Sequence, residues 1–150
     1  MYSKAEKSNI KKEFWTAFGL YMKPVRNAEG ATINWVNYKT GIRHIYFRMD
    51  ADTKLCAVAI EIKHPVAEEQ DALYEKFISV KKIFTSICGE DWNWNNQTYD
   101  EDGRLTAKIN TEATGLNIMK KEDWPQIISF FKERMITLDE FWNTIKVRFE

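Results

Sequence analysis

Hydrophobic positions recur every three or four residues in three stretches of the chain and alternate with polar ones in several of the segments between them. The first stretch puts Ile10, Phe14, Trp15, Phe18, Tyr21 and Met22 on one face of a helix, with Lys4, Lys7, Lys11 and Lys12 mostly off it. Ser3 and Glu6 frame a capping box at its start, each side chain reaching a free backbone N–H of the first turn. Pro24 stops the helix, and a loop over residues 27–31 follows.

Three strands are predicted next. Residues 32–38 are β-branched and aromatic. Residues 42–49 alternate, with Ile45, Phe47 and Met49 on one side and His44, Tyr46 and Arg48 on the other. An Asp-rich turn over residues 50–54 leads to a third strand, residues 55–63. That strand is apolar on both sides, with Leu55, Ala57 and Ala59 on one and Cys56, Val58, Ile60 and Ile62 on the other, which predicts a central, covered position.

Pro65 opens a second helix, with Glu68, Glu69 and Asp71 near its positive end and a stripe of Leu73, Phe77, Val80, Phe84 and Ile87. Gly89 is placed to end it. Strands are predicted from Trp92 to Tyr99 and from Arg104 to about Thr111, with an extended edge piece at residues 116–118. A last helix runs from near Lys121 to residue 146, carrying Trp124, Ile128, Phe131, Met135, Leu138, Trp142 and Ile145, with a kink at Thr137. The order is α-β-β-β-α-β-β-α. It describes an α+β fold: one domain over residues 1–150, with a mainly antiparallel sheet of about five strands and three helices.

Composition narrows the function more by exclusion than by assignment. The net charge is zero, which lacks the basic footprint of a nucleic-acid-binding domain. Basic groups nevertheless exceed acidic ones in residues 1–63, and the reverse holds in residues 64–150. Twenty-one aromatic residues imply a large core. Cys56 and Cys88 form no disulfide framework and read as small buried hydrophobes. No apolar stretch approaches the ~18 residues of a membrane span, and the N-terminus carries no signal region, so a cytoplasmic location is expected and no membrane contact. His44 and His64 lack partners at metal-ligand spacing, and the glycines are scattered singly, so no cofactor is implied.

Asp50, Asp52 and Glu61-Ile62-Lys63 resemble the PD-(D/E)xK nuclease signature, in which paired acids hold Mg²⁺ and a lysine assists the attacking water. Catalysis by Glu61 and Lys63 is therefore one alternative. With a turn at residues 50–54, however, Glu61 falls ~20 Å or more from the aspartates, beyond the reach of one ion. In that register Glu61 faces Arg43 as a cross-strand ion pair, which is the favoured reading. Trp92, Trp94 and the helix lysines leave nucleic-acid contact open.

Ala59-Ile60-Glu61, residues 73–77 (Leu-Tyr-Glu-Lys-Phe), residues 89–94 (Gly-Glu-Asp-Trp-Asn-Trp), residues 122–125 (Glu-Asp-Trp-Pro) and residues 138–142 (Leu-Asp-Glu-Phe-Trp) resemble a bacterial family known only as a domain of unknown function. The resemblance implies a stand-alone short form of a domain that elsewhere follows a separate PD-(D/E)xK nuclease-like domain. It supplies no catalytic residues, and it implies a setting in DNA processing or defence. The expectation is a non-enzymatic interaction module, homodimeric or with a protein partner, whose interface draws on Arg43, His44, Tyr46, Trp92 and Trp94. A small-ligand site between sheet and helices is a further alternative.

Overall fold

A computed structural model describes residues 2–150. The helix α1 spans Lys4–Met22, followed by strands β1 (Ile45–Ala51) and β2 (Leu55–Ile62), helices α2 (Ala67–Ser79) and α3 (Lys81–Cys88), strands β3 (Asn93–Tyr99) and β4 (Leu105–Thr114), and helix α4 (Trp124–Ile145). Single 3₁₀ turns flank α4, at Lys121–Asp123 and Lys146–Phe149. The fold is α+β, with four antiparallel strands in the order β1-β2-β4-β3.

The capping box forms as expected: Glu6 N–H donates to Ser3 Oγ at 3.1 Å and Ser3 N–H to Glu6 Oε1 at 3.2 Å. The strand predicted at residues 32–38 does not form. Its asparagines compete with any ladder by bonding locally. Asn34 Oδ1 accepts from Val36 and Asn37 N–H, and Asn27 Oδ1 does the same for Glu29 and Ala31. Trp35 turns inward and donates its indole N–H to Val25 O. One bridge, Arg26 to Thr32, remains, so β1 is a sheet edge.

The long second helix is also two. Val80, at φ −112° and ψ 15°, breaks it, and Ser79 Oγ caps the Lys76 carbonyl at 2.6 Å. The break lets Phe77 pack on Trp142 and Phe149 while Phe84 packs on Trp92, Trp94 and Phe141. Gly89, at φ 70°, ends α3 as expected. β4 runs on to Thr114, residues 116–118 form no strand, and α4 continues unbroken through Thr137.

The helices cover one side of the sheet. Ile45 and Phe47 of β1, Cys56, Val58, Ile60 and Ile62 of β2, and Ala107 and Ile109 of β4 are buried there, in one apolar cluster with Phe14, Phe18, Phe77, Phe131 and Trp142. α4 is buried on more sides than its predicted stripe requires, since Ile127, Phe130 and Phe141 are buried as well. It is the middle element of the helical layer, packed on α1, α3 and β2.

Candidate functional site

The opposite side of the sheet carries no helix, and cross-strand register arranges its side chains in rows. Tyr46, Glu61, Lys108 and Asn95 form one row; Arg48, Ala59, Asn110 and Asn93 form the next; Asp50, Ala57 and Glu112 form a third. Successive rows lie ~7 Å apart, two residues along a strand. Ala59 is 7 % exposed yet lies outside the main apolar cluster, because its neighbours on this face cover it. Tyr46 is 37 % exposed, and the Arg48 guanidinium rests 4.5 Å from its ring centre.

Glu61 sits among three cations, Arg48 at 3.6 Å, Lys63 at 3.7 Å and Lys108 at 3.7 Å. Its opposite residue is Tyr46, so the expected pair with Arg43 is replaced by a diagonal one with Arg48. Arg43 lies exposed before β1. The hairpin turn is tighter than expected: Asp50 and Ala51 belong to β1, and Asp50 lies opposite Ala57. Asp50 is thus four residues from Glu61 along the ladder, ~13 Å and not 20 Å, which is still too far for one ion.

A second acid joins this group: Asp100 lies 3.5 Å from the Lys63 ammonium that Glu61 also engages. Arg104 N–H, then Asp102 N–H and the Lys63 charge, hold the Asp100 carboxyl below its usual range. The Lys63 ammonium therefore stands between the two carboxylates. Among the described residues, no three His, Cys, Asp or Glu side chains converge as a metal site would require.

The tryptophans face the other way. Trp92 is 7 % exposed and packs edge-on against Phe84, donating its indole N–H to Glu90. Trp94 lies on the helix side, 5.5 Å from Phe84, with the Lys81 ammonium 4.9 Å above its ring. These rings belong to the core and its margin, which removes them from a stacking surface. Burial pushes the Cys56 and Cys88 thiols up to about 11, so neither is an activated nucleophile.

The family model for the domain of unknown function DUF4268 matches residues 10–146. The chain belongs to the DUF4268 family. No curated protein and no solved structure shows significant similarity to it. No helix among the described residues of this DUF4268 domain is long and apolar enough to cross a membrane.

A second polar site of the DUF4268 domain was missed by the sequence reading. Asp139 of α4 is 5 % exposed, and its carboxylate accepts from the Tyr38 hydroxyl and from Ala28 N–H, each at 2.6 Å. Burial first, then the bond to Asp139, push the Tyr38 hydroxyl far above its usual value. A pocket of about 360 Å³ adjoins the pair, lined also by Asn37, Asn143, Lys39 and Lys146. Asp139 falls within the apolar period of α4, and Tyr38 within a segment that reads as a strand. Only the fold shows that they meet.

Proposed function

We propose that this DUF4268 domain is a non-enzymatic interaction module whose partner is a second copy of itself, joined through the bare face of the sheet. The observation that carries the proposal is the charge order along that face. Arg48, Lys63 and Lys108 crowd one end, where Glu61 and Asp100 offset only part of their charge, and Asp50 and Glu112 form the row beyond Arg48. A two-fold axis between facing sheets and perpendicular to the strands sets each basic end over an acidic row. Ala57 on the inner strand β2 supplies small surface and Tyr46 on the edge strand β1 supplies aromatic surface, and charge pairing sets the register. The unpaired thiols, Cys56 and Cys88, suit the reducing cytoplasm, the location proposed for the module. The DNA-processing or defence setting implied by the resemblance is the proposed context.

Sedimentation equilibrium at micromolar concentration tests this. The mass is expected to rise with concentration toward twice 17.8 kDa. Added salt and the double variant Asp50→Lys, Glu112→Lys are expected to drive it back toward the monomer. A mass near 17.8 kDa at every concentration refutes the dimer. A dimer untouched by the double variant refutes this face as its interface.

A further inference from the structure

Asp139, Trp142, Asn143 and Lys146 follow one another at helical spacing along α4 and the residue just past its end, so they share one face. That face is one wall of the pocket of about 360 Å³, and the loop over residues 27–39 is the other. The Asp139 carboxylate bridges the two walls, because both of its donors, the Tyr38 hydroxyl and Ala28 N–H, belong to the loop.

The charges in this lining are unmatched at close range. Asp139 is 5 % exposed, yet both of its donors are neutral, and no Lys, Arg or His nitrogen among the described residues lies within 4.0 Å of its carboxylate. A buried carboxylate in that position is costly until a cation reaches it. Lys39 and Lys146 line the same pocket, and neither makes an ion pair among the described residues. Lys146 is seated against the end of the loop: a Cβ added at Gly41 would come to 2.6 Å of its ammonium.

Glu29, which is exposed, is the other carboxylate of the lining, so two cations and two carboxylates leave the pocket with no net charge. An ion of one sign is attracted by one pair and repelled by the other. A molecule that carries both signs a short distance apart gains from both. The Asp139 oxygens each keep a second lone-pair site after bonding Tyr38 and Ala28, and a primary ammonium has three donors to fill them.

We propose that this pocket binds a free α-amino acid with an apolar side chain. The ammonium of the ligand donates to Asp139, its carboxylate turns toward Lys39 and Lys146, and Ile33 and Trp142 supply the apolar part of the wall. The exposed amides of Asn37 and Asn143, also in the lining, offer a donor or an acceptor to either end. The volume lies near the lower end of the ~300–1,000 Å³ range of small-molecule sites, which suits a molecule of this size. Neither wall belongs to the bare face of the sheet, so the site stands apart from the proposed dimer.

Titration of the ¹⁵N-labelled full chain at constant ionic strength tests the assignment, with L-leucine and two analogues that each lack one charge, isocaproate and isoamylamine. The backbone amide of Ala28 and the side-chain amides of Asn37 and Asn143 are expected to shift saturably with L-leucine, and each analogue is expected to bind at least about tenfold more weakly, the worth of one charge-assisted bond. Changing Asp139 would loosen the loop itself, so the variant used is Lys146→Gln. It is expected to weaken L-leucine about tenfold and to leave the weaker binding of isoamylamine unchanged. No saturable shift with L-leucine overturns the site. An analogue that binds as tightly as L-leucine overturns the zwitterion assignment. L-leucine binding unaltered in Lys146→Gln, or an equal loss for isoamylamine, overturns the place given to the carboxylate.

Discussion

Tyr38→Phe removes one hydroxyl and leaves the ring, so it isolates the bond that ties the loop before β1 to α4. The ring keeps its stacking on Phe47, 5.1 Å away, and its contact with Trp35. What is lost is a 2.6 Å donor to a carboxylate that is 5 % exposed. A hydrogen bond to a charged group contributes ~1.5–3 kcal/mol. The lower half of that range applies here, because Asp139 keeps the Ala28 N–H and the adjoining 360 Å³ pocket admits water. At ~2–4 °C per kcal/mol for a chain of this size, Tm should fall by roughly 3–8 °C.

The pH dependence has a definite sign. Tyr38 titrates higher in the folded state than in the unfolded one. The stability it contributes is therefore complete below the unfolded value, ~10, and drains away as pH rises above it toward the folded value. The gap between wild type and Tyr38→Phe should thus be constant from pH 7 to 9 and narrow above pH ~10. Urea unfolding followed by tryptophan fluorescence across that range measures it. Asp139→Ala orphans two donors and should cost more, and the double variant should show strong coupling between the positions. A Tyr38→Phe midpoint equal to wild type, or a gap that widens above pH 10, would refute the clamp.

Two further outcomes concern the core and the strained residue. Phe77→Ala should destabilise by ~3–5 kcal/mol in urea, because the ring is fully buried between Phe141, Trp142 and Phe149; a near-wild-type midpoint would show that its neighbours close the cavity. His44→Gly removes a left-handed cost of ~1–2 kcal/mol and should leave Tm unchanged or higher. A marked drop in Tm would mean that the contact with the His64 ring outweighs the strain.

Legibility followed the range of the interactions. α1, its capping box and the Gly89 stop were readable because each depends on neighbours within one helical turn. The central place of β2 was readable because both of its sides are apolar. The false strand at residues 32–38 shows the limit of propensity: Ile33, Trp35 and Val36 favour a strand, but Asn27 and Asn34 occupy the backbone donors of neighbouring residues first. No proline or glycine marks the break at Val80, which is set by where Phe77 and Phe84 must reach on α4 and β3.

Periodicity and turn chemistry are local properties, and they were enough for the fold class, the antiparallel hairpins and most of the residues that fill the core. Folding alone settled which face of the sheet stays bare, because that depends on all four helices choosing the same side. It also decided which charged and polar groups meet. Glu61 exchanged its expected partner Arg43 for Arg48 because a tighter turn moved the register, and a register shift displaces every cross-strand pair at once. Asp139 meets Tyr38, and Gln70 meets His64, through the packing of a helix against a loop, with no part played by strand register. Hydrogen bonds between residues far apart in the chain, or between separate elements, leave no periodic trace and exist only once the elements that carry them are packed.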